Sequence, residues 1–167
     1  EGRIRIAGSH TNVVKKELDG NVLLQKEVGS CFASESGQER TEGPSLTIEG
    51  IVDFAQSVEP EDVRETLERQ IAYNTAISAE GLRGDYGANV GRVLLATYGD
   101  DVKIRARAAA AAGSDARMNG CELPVVINSG SGNQGLTASL PVIEYAKENG
   151  ADREKLYRAL VISNLTA

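Results

Sequence analysis

The sequence predicts an α+β fold, a small antiparallel β-hairpin or sheet piece followed by a bundle of about six helices. Three observations carry this. An Asp-Gly pair separates two extended runs near the start, residues 29–44 are rich in Gly, Ser and Glu without any period, and apolar residues recur at helical spacing from Ser45 onward.

The β piece comes first. Arg3-Ile4-Arg5-Ile6 alternates, Val13 and Val14 lie in an extended stretch, and Asn21-Val22-Leu23-Leu24 follows Asp19-Gly20. Both turn residues tolerate positive φ, so this pair predicts a hairpin. Gly8–Asn12 is expected to connect the first strand to the second. The 29–44 stretch reads as a loop and divides the chain into a β-rich segment, 1–44, and a helical part, 45–167.

In the helical part, Ile48, Ile51, Val52, Ala55 and Val58 form one stripe. A second helix opens near Pro60, whose missing N–H costs nothing in a first turn, and carries Val63, Leu67, Ile71 and Ile77. Gly81, Gly84 and Gly87 are expected to interrupt it. A third helix spans about Asn89–Tyr98 and stops at Gly99. A fourth starts after Asp100 or Asp101 and is expected to end at Gly113. A fifth is expected to follow Gly135 and to run to Asn149 with Pro141 as a kink, and Asp152 caps a sixth bearing Leu156, Leu160, Val161 and Leu165.

Composition bounds the function. In 167 residues, 41% are hydrophobic and 25% charged, enough for one core without disulfide staples. With no Trp and two Phe, that core is expected to be built from small aliphatic side chains on close helices. Eighteen basic against 24 acidic residues leave a net charge of −6, and there is no basic stripe interleaved with aromatics, which argues against nucleic acid. No apolar run approaches the roughly 20 residues that span a bilayer, so no membrane partner is expected. Cys31 and Cys121 are too few for a disulfide framework and read as inert thiols in a reducing cytoplasm. The chain begins inside a strand pattern and runs out within an apolar helical stripe. It is therefore expected to be an internal fragment that completes no reaction alone.

Two segments concentrate polar chemistry. Asn128-Ser-Gly-Ser-Gly-Asn-Gln-Gly135 packs three glycines and five amide or hydroxyl side chains ahead of a helix. Bare N–H groups at the positive end of a helix favour an anion, such as a carboxylate or phosphate. The segment is neither a Walker loop nor GxGxxG. Ser114-Asp-Ala-Arg-Met-Asn-Gly120 reads as a glycine-flanked turn in which Arg117 can hold a carboxylate bidentately. The single histidine, His10, has no partners in the sequence that would make a catalytic triad.

Read in order, GSHTNVV, SDARMNGCELPVVINSGSGNQGL and the closing ALVISNLTA resemble the middle of the iron–sulfur-dependent L-serine dehydratase alpha-chain family, on the side of its L-cysteine desulfidase-like branch. The resemblance implies an amino-acid lyase in which three cysteines hold a [4Fe-4S] cluster. The iron without a cysteine ligand binds the substrate's β-hydroxyl or β-thiol, a base removes the α-proton, and the aminoacrylate collapses to pyruvate and ammonia. It places the cluster cysteines beyond Ala167, so no cofactor is expected within this chain. It makes Asn128, Ser129, Ser131, Asn133 and Gln134 candidate contacts to a serine or cysteine substrate, with Ser114, Asp115 and Arg117 near them. His10 and Asn12 match the family's GGHTN-like turn, Ser9 standing where relatives carry glycine. Two other readings compete: an anion-binding module without turnover, and a structural domain whose alanine-rich helices form a homo-oligomer.

Overall fold

A computed structural model describes residues 1–7, 12–26 and 46–167. The chain forms two compact units, Glu1–Pro44 and Ser45–Ala167. His10, Cys31 and the predicted loop over 29–44 lie outside the described residues.

In the first unit, β1 (Gly2–Ile6), β2 (Val13–Leu18) and β3 (Asn21–Gln25) form an antiparallel sheet in the order β1-β2-β3. The β2–β3 turn is the predicted one: Asp19 and Gly20 both take positive φ, 49° and 84°. Leu18 pairs with Asn21 across it. Asn12 closes the connection from β1, its amide donating to the Ala7 carbonyl at 2.8 Å while its own carbonyl accepts from the Ala7 N–H at 3.1 Å.

The second unit is all helix: α1 (Ile48–Ser57), α2 (Pro60–Arg83), α3 (Val90–Tyr98), α4 (Val102–Met118), α5 (Gly132–Glu148) and α6 (Arg153–Thr166). The starts follow the capping chemistry of the sequence. Thr47, Asp101 and Asp152 accept side-chain bonds from Gly50, Lys103 and Lys155 amides, and Pro60 occupies the first position of α2. No helix among the described residues is long and apolar enough to cross a membrane.

Three predicted boundaries are corrected, all of them at glycine. α2 runs through Gly81 to Arg83, because a Cβ at Gly81 would lie 2.0 Å from the Ala112 carbonyl oxygen, and glycine is what lets α2 and α4 meet there. α4 likewise passes through Gly113, which faces Leu136, and continues to Met118. Ser114, Asp115 and Arg117 therefore sit on the last turns of a helix and not in a loop. α5 begins at Gly132, four residues earlier than predicted, because Ser131 caps it.

The core lies where α2, α4, α5 and α6 converge, with Ile77, Leu136, Leu140 and Leu160 fully buried. α4 packs on α2, α3 and α5, presenting Ala106, Ala108, Ala109, Ala112 and Ala116 as buried positions. Side chains this small allow the backbones to approach closely. Into this apolar interior α2 also sends Gln70, Asn74 and Ser78, spaced four residues apart on one face. Each is hydrogen-bonded, as burial of a polar group requires. Ser78 donates to the Ala109 carbonyl at 2.8 Å and ties α2 to α4.

Candidate functional site

Between α4 and α5 the chain passes over Leu123–Ile127 in neither helix nor strand, and Asn74 holds it in place. The Asn74 side chain accepts from the Val126 N–H at 2.8 Å and donates to the Val126 carbonyl, the Gly135 carbonyl and the Ser139 hydroxyl at 3.3, 3.2 and 2.9 Å. One fully buried amide thus clamps the incoming segment to the first turn of α5. Gly135 completes the contact, because a Cβ there would come within 2.1 Å of the Val126 carbonyl.

The turn that follows is closed on itself. The Asn128 N–H donates to the Ser131 carbonyl at 3.0 Å, and the Ser131 N–H returns the bond at 2.8 Å. The two residues between them, Ser129 and Gly130, take φ of 46° and 78°. Positive φ at both central positions is the signature of a type I′ turn, a conformation glycine adopts freely and serine does not. Ser131 then caps α5, its hydroxyl accepting from the Gln134 N–H at 3.3 Å, and its carbonyl takes the first helical bond from Gly135 at 3.1 Å.

This accounting leaves the N–H groups of Ser129, Gly130, Gly132 and Asn133 without an acceptor among the described residues. They cluster at the N-terminus of a 17-residue helix, where the macrodipole is positive. The Arg117 side chain lies across the same place. Its Nη1 donates to the Asn133 side-chain oxygen at 3.1 Å, and a Cβ added to Gly132 would meet its Nε at 2.3 Å. Arg117 has no carboxylate partner among the described residues. A guanidinium over a positive helix end is unfavourable by itself, and a small anion held between the two relieves both charges.

The remaining predicted residues divide. Asn128 and Ser129 line a cleft of about 410 Å³ with Gln70, Asn164, Phe54 and Leu165. Asp115 turns away to α3, where its Oδ2 accepts from the Val90 N–H at 2.8 Å. That bond supplies the cap which Asn89, in left-handed conformation, does not give. Ser114 is half-buried and makes no hydrogen bond to the turn among the described residues, and Gln134 enters through its main chain alone. Asn12 belongs to the first unit.

Three residues that the sequence reading passed over prove central: Asn74, Gln70 and Asn164. The signal for the first two was present, since polar side chains four apart on the same face as Leu67 and Ile71 stand where a helix should be apolar.

On the connection between α2 and α3, the Tyr86 hydroxyl donates to the Glu80 carboxylate at 3.1 Å. That bond, together with burial and the neighbouring Cys121 thiol, pushes its pKa up to about 12. Tyr157 is raised in the same sense by its bond to Glu68 and by burial. Among the described residues no three His, Cys, Asp or Glu side chains converge as a metal site, and Cys121 is the one cysteine they include. They do not supply the ligands of an iron–sulfur cluster.

Comparison with known proteins matches residues 11–167 to the family described as serine dehydratase alpha chain. A UPF0597 protein of Desulfitobacterium hafniense strain Y51 is 60% identical over 163 residues, covering 98% of this chain and 37% of the relative. UPF0597 proteins of Lachnoclostridium phytofermentans and Finegoldia magna are 55% and 43% identical, each over 164 residues, again covering 98% of this chain and 38% of theirs. The chain thus spans less than two-fifths of the length of the relatives it matches. No solved structure matches it. With the match running from the β1–β2 connection to the end of α6, the chain belongs to the serine dehydratase alpha-chain family.

Proposed function

We propose that this chain supplies the substrate-binding turn of an iron–sulfur-dependent amino-acid lyase, which converts L-serine or L-cysteine to pyruvate and ammonia by β-elimination. The observation that carries the reading is the set of unpaired N–H groups at the start of α5 beneath the Arg117 guanidinium. An α-amino acid brings a carboxylate to such a place. The main-chain donors and Arg117 bind it, while the Asn133 side-chain oxygen holds the guanidinium at the turn.

Holding the carboxylate does more than anchor the substrate. Elimination begins with loss of the α-proton, and the electron pair left behind spreads toward the carboxylate. Donors already aimed at those oxygens bind that developing charge more tightly than the ground state, so they lower the barrier as well as KM. The turn is suited to this because its own bonds keep the donors in place before substrate arrives. Cluster chemistry, which activates the β-hydroxyl or β-thiol, is assigned to residues of the whole protein other than those described.

The test is turnover. The whole protein, prepared without oxygen, is expected to release pyruvate from L-serine or L-cysteine. Arg117→Met is expected to raise KM by about ten- to a hundredfold, the size of a lost charge-assisted hydrogen bond. Absence of pyruvate from both amino acids rejects the lyase reading. Carboxylate binding that persists without turnover would favour the anion-binding module instead.

A further inference from the structure

We infer that Asn164, on the last turn of α6, is a positioning residue that sets the direction in which the substrate-binding turn presents its donors. This rests on the lyase reading above and adds to it a residue outside the turn.

The Asn164 side chain donates to the Gln70 Oε1 and to the Leu160 carbonyl, each at 2.8 Å. Its Oδ1 accepts from the Gln70 Nε2 at 2.9 Å and from the Asn128 Nδ2 at 3.1 Å. Both donors and both acceptor positions are filled, so the amide has one orientation. Gln70, only 3% exposed, is fixed by the α2 backbone and by this reciprocal pair. Asn128 Nδ2 bonds the Asn164 main-chain carbonyl as well, at 2.9 Å. The first residue of the turn is therefore held at two points on α6.

The direction of the donors follows. In the closed turn, Asn128 and Ser131 spend their amides on each other, so the plane of the turn swings about this pair. Asn128 is further tied by the Ser129 hydroxyl, which donates to its Oδ1 at 2.9 Å. With the Asn128 side chain pinned, the amides of Ser129 and Gly130 project at a fixed angle. Without the Asn164 side chain, Asn128 keeps only its bond to the Asn164 main-chain carbonyl, the turn opens its internal bonds more often and gains freedom to rock, and the donors no longer meet a carboxylate together. Asn74 holds the other approach to the turn, so loss of Asn164 loosens it without unfolding α5.

The experiment uses Asn164→Leu and Asn164→Asp in the whole protein, with pyruvate release from L-serine and L-cysteine, thermal unfolding and amide hydrogen exchange as readouts. The aspartate keeps the acceptor for Asn128 and loses the donors to Gln70 and Leu160. Asn164→Leu is expected to lower kcat/KM about tenfold, on the scale of one hydrogen bond, through both a higher KM and a lower kcat, with the unfolding midpoint little changed and faster exchange confined to the bonded amides Asn128 and Ser131. Asn164→Asp is expected to fall between it and the wild type, and it decides the matter if the leucine variant fails to fold. Unchanged kcat/KM and exchange in a folded variant that turns over overturns this inference alone. A fall in kcat/KM matched by a lowered midpoint and faster exchange throughout the helical unit overturns it in favour of a merely structural role. A wild-type protein that turns over neither amino acid overturns the lyase reading, and this inference with it.

Discussion

Tyr86 and Asn74 illustrate how single side chains set this molecule's chemistry. A buried amide such as Asn74 is stabilising only because each of its polar atoms is satisfied; a truncation would strand the Val126 and Gly135 main-chain groups in the core. Tyr86 owes its raised pKa to a different cause, the carboxylate of Glu80, which accepts its proton in a hydrogen bond and would repel the phenolate. The folded state then keeps the Tyr86 proton at a pH where the unfolded chain has lost it. The stability this contributes is fully present below pH 10, the ordinary tyrosine value, and is lost as pH rises through about 12. A phenolate absorbance titration is expected to show Tyr86 ionising late, and Tyr86→Phe is expected to flatten the fall of the urea midpoint across that window. A wild-type profile identical to that of the variant would contradict the assignment. Arg117 completes the residue scale. It is the predicted candidate whose side chain reaches the turn from α4, whereas Asp115, two residues away, faces α3, because on a helix neighbours two apart point apart.

At the scale of elements, the close approach of α2 and α4 rests on glycine. Alanine at Gly81 would improve helix propensity by about 1 kcal/mol. Its Cβ would, however, lie 2.0 Å from the Ala112 carbonyl. Overlap of that size forces the helices apart, and the net loss is expected to be about 2 kcal/mol. Chemical denaturation of Gly81→Ala checks it, and a variant more stable than the wild type would contradict the packing. The same position explains which parts of the fold were legible in sequence. The β2–β3 hairpin, the caps at Thr47, Asp101 and Asp152, and Pro60 at a helix start are local, and each was readable from a few adjacent residues. Gly81 and Gly113 were not, because a glycine that ends a helix and a glycine that admits a neighbouring helix look alike in sequence. The difference lies in Ala112 and Leu136, each more than twenty positions away. The turn at Asn128–Gly135 was recognisable from its glycines and polar side chains. Of its anchors, Gln70 and Asn74 show in sequence as polar residues on an apolar face, but neither their contacts nor Asn164 can be read there, since these bonds cross 36 to 94 positions.

For the molecule as a whole, the helical unit brings one end of α5, the last turn of α4 and the last turn of α6 to a single turn. Arg117 reaches the turn at Asn133, and Asn164 anchors it at Asn128. Such an arrangement separates binding from support, so that the donors are free because other residues carry the load. The direct test is amide hydrogen exchange of the whole protein with L-alanine, which has the carboxylate and ammonium of the substrates and no β-group to eliminate. Slower exchange at Ser129, Gly130, Gly132 and Asn133 on adding L-alanine, lost in Arg117→Met, is the predicted result. Exchange at these amides that is unaffected by L-alanine, while L-alanine competitively inhibits pyruvate release, would contradict it.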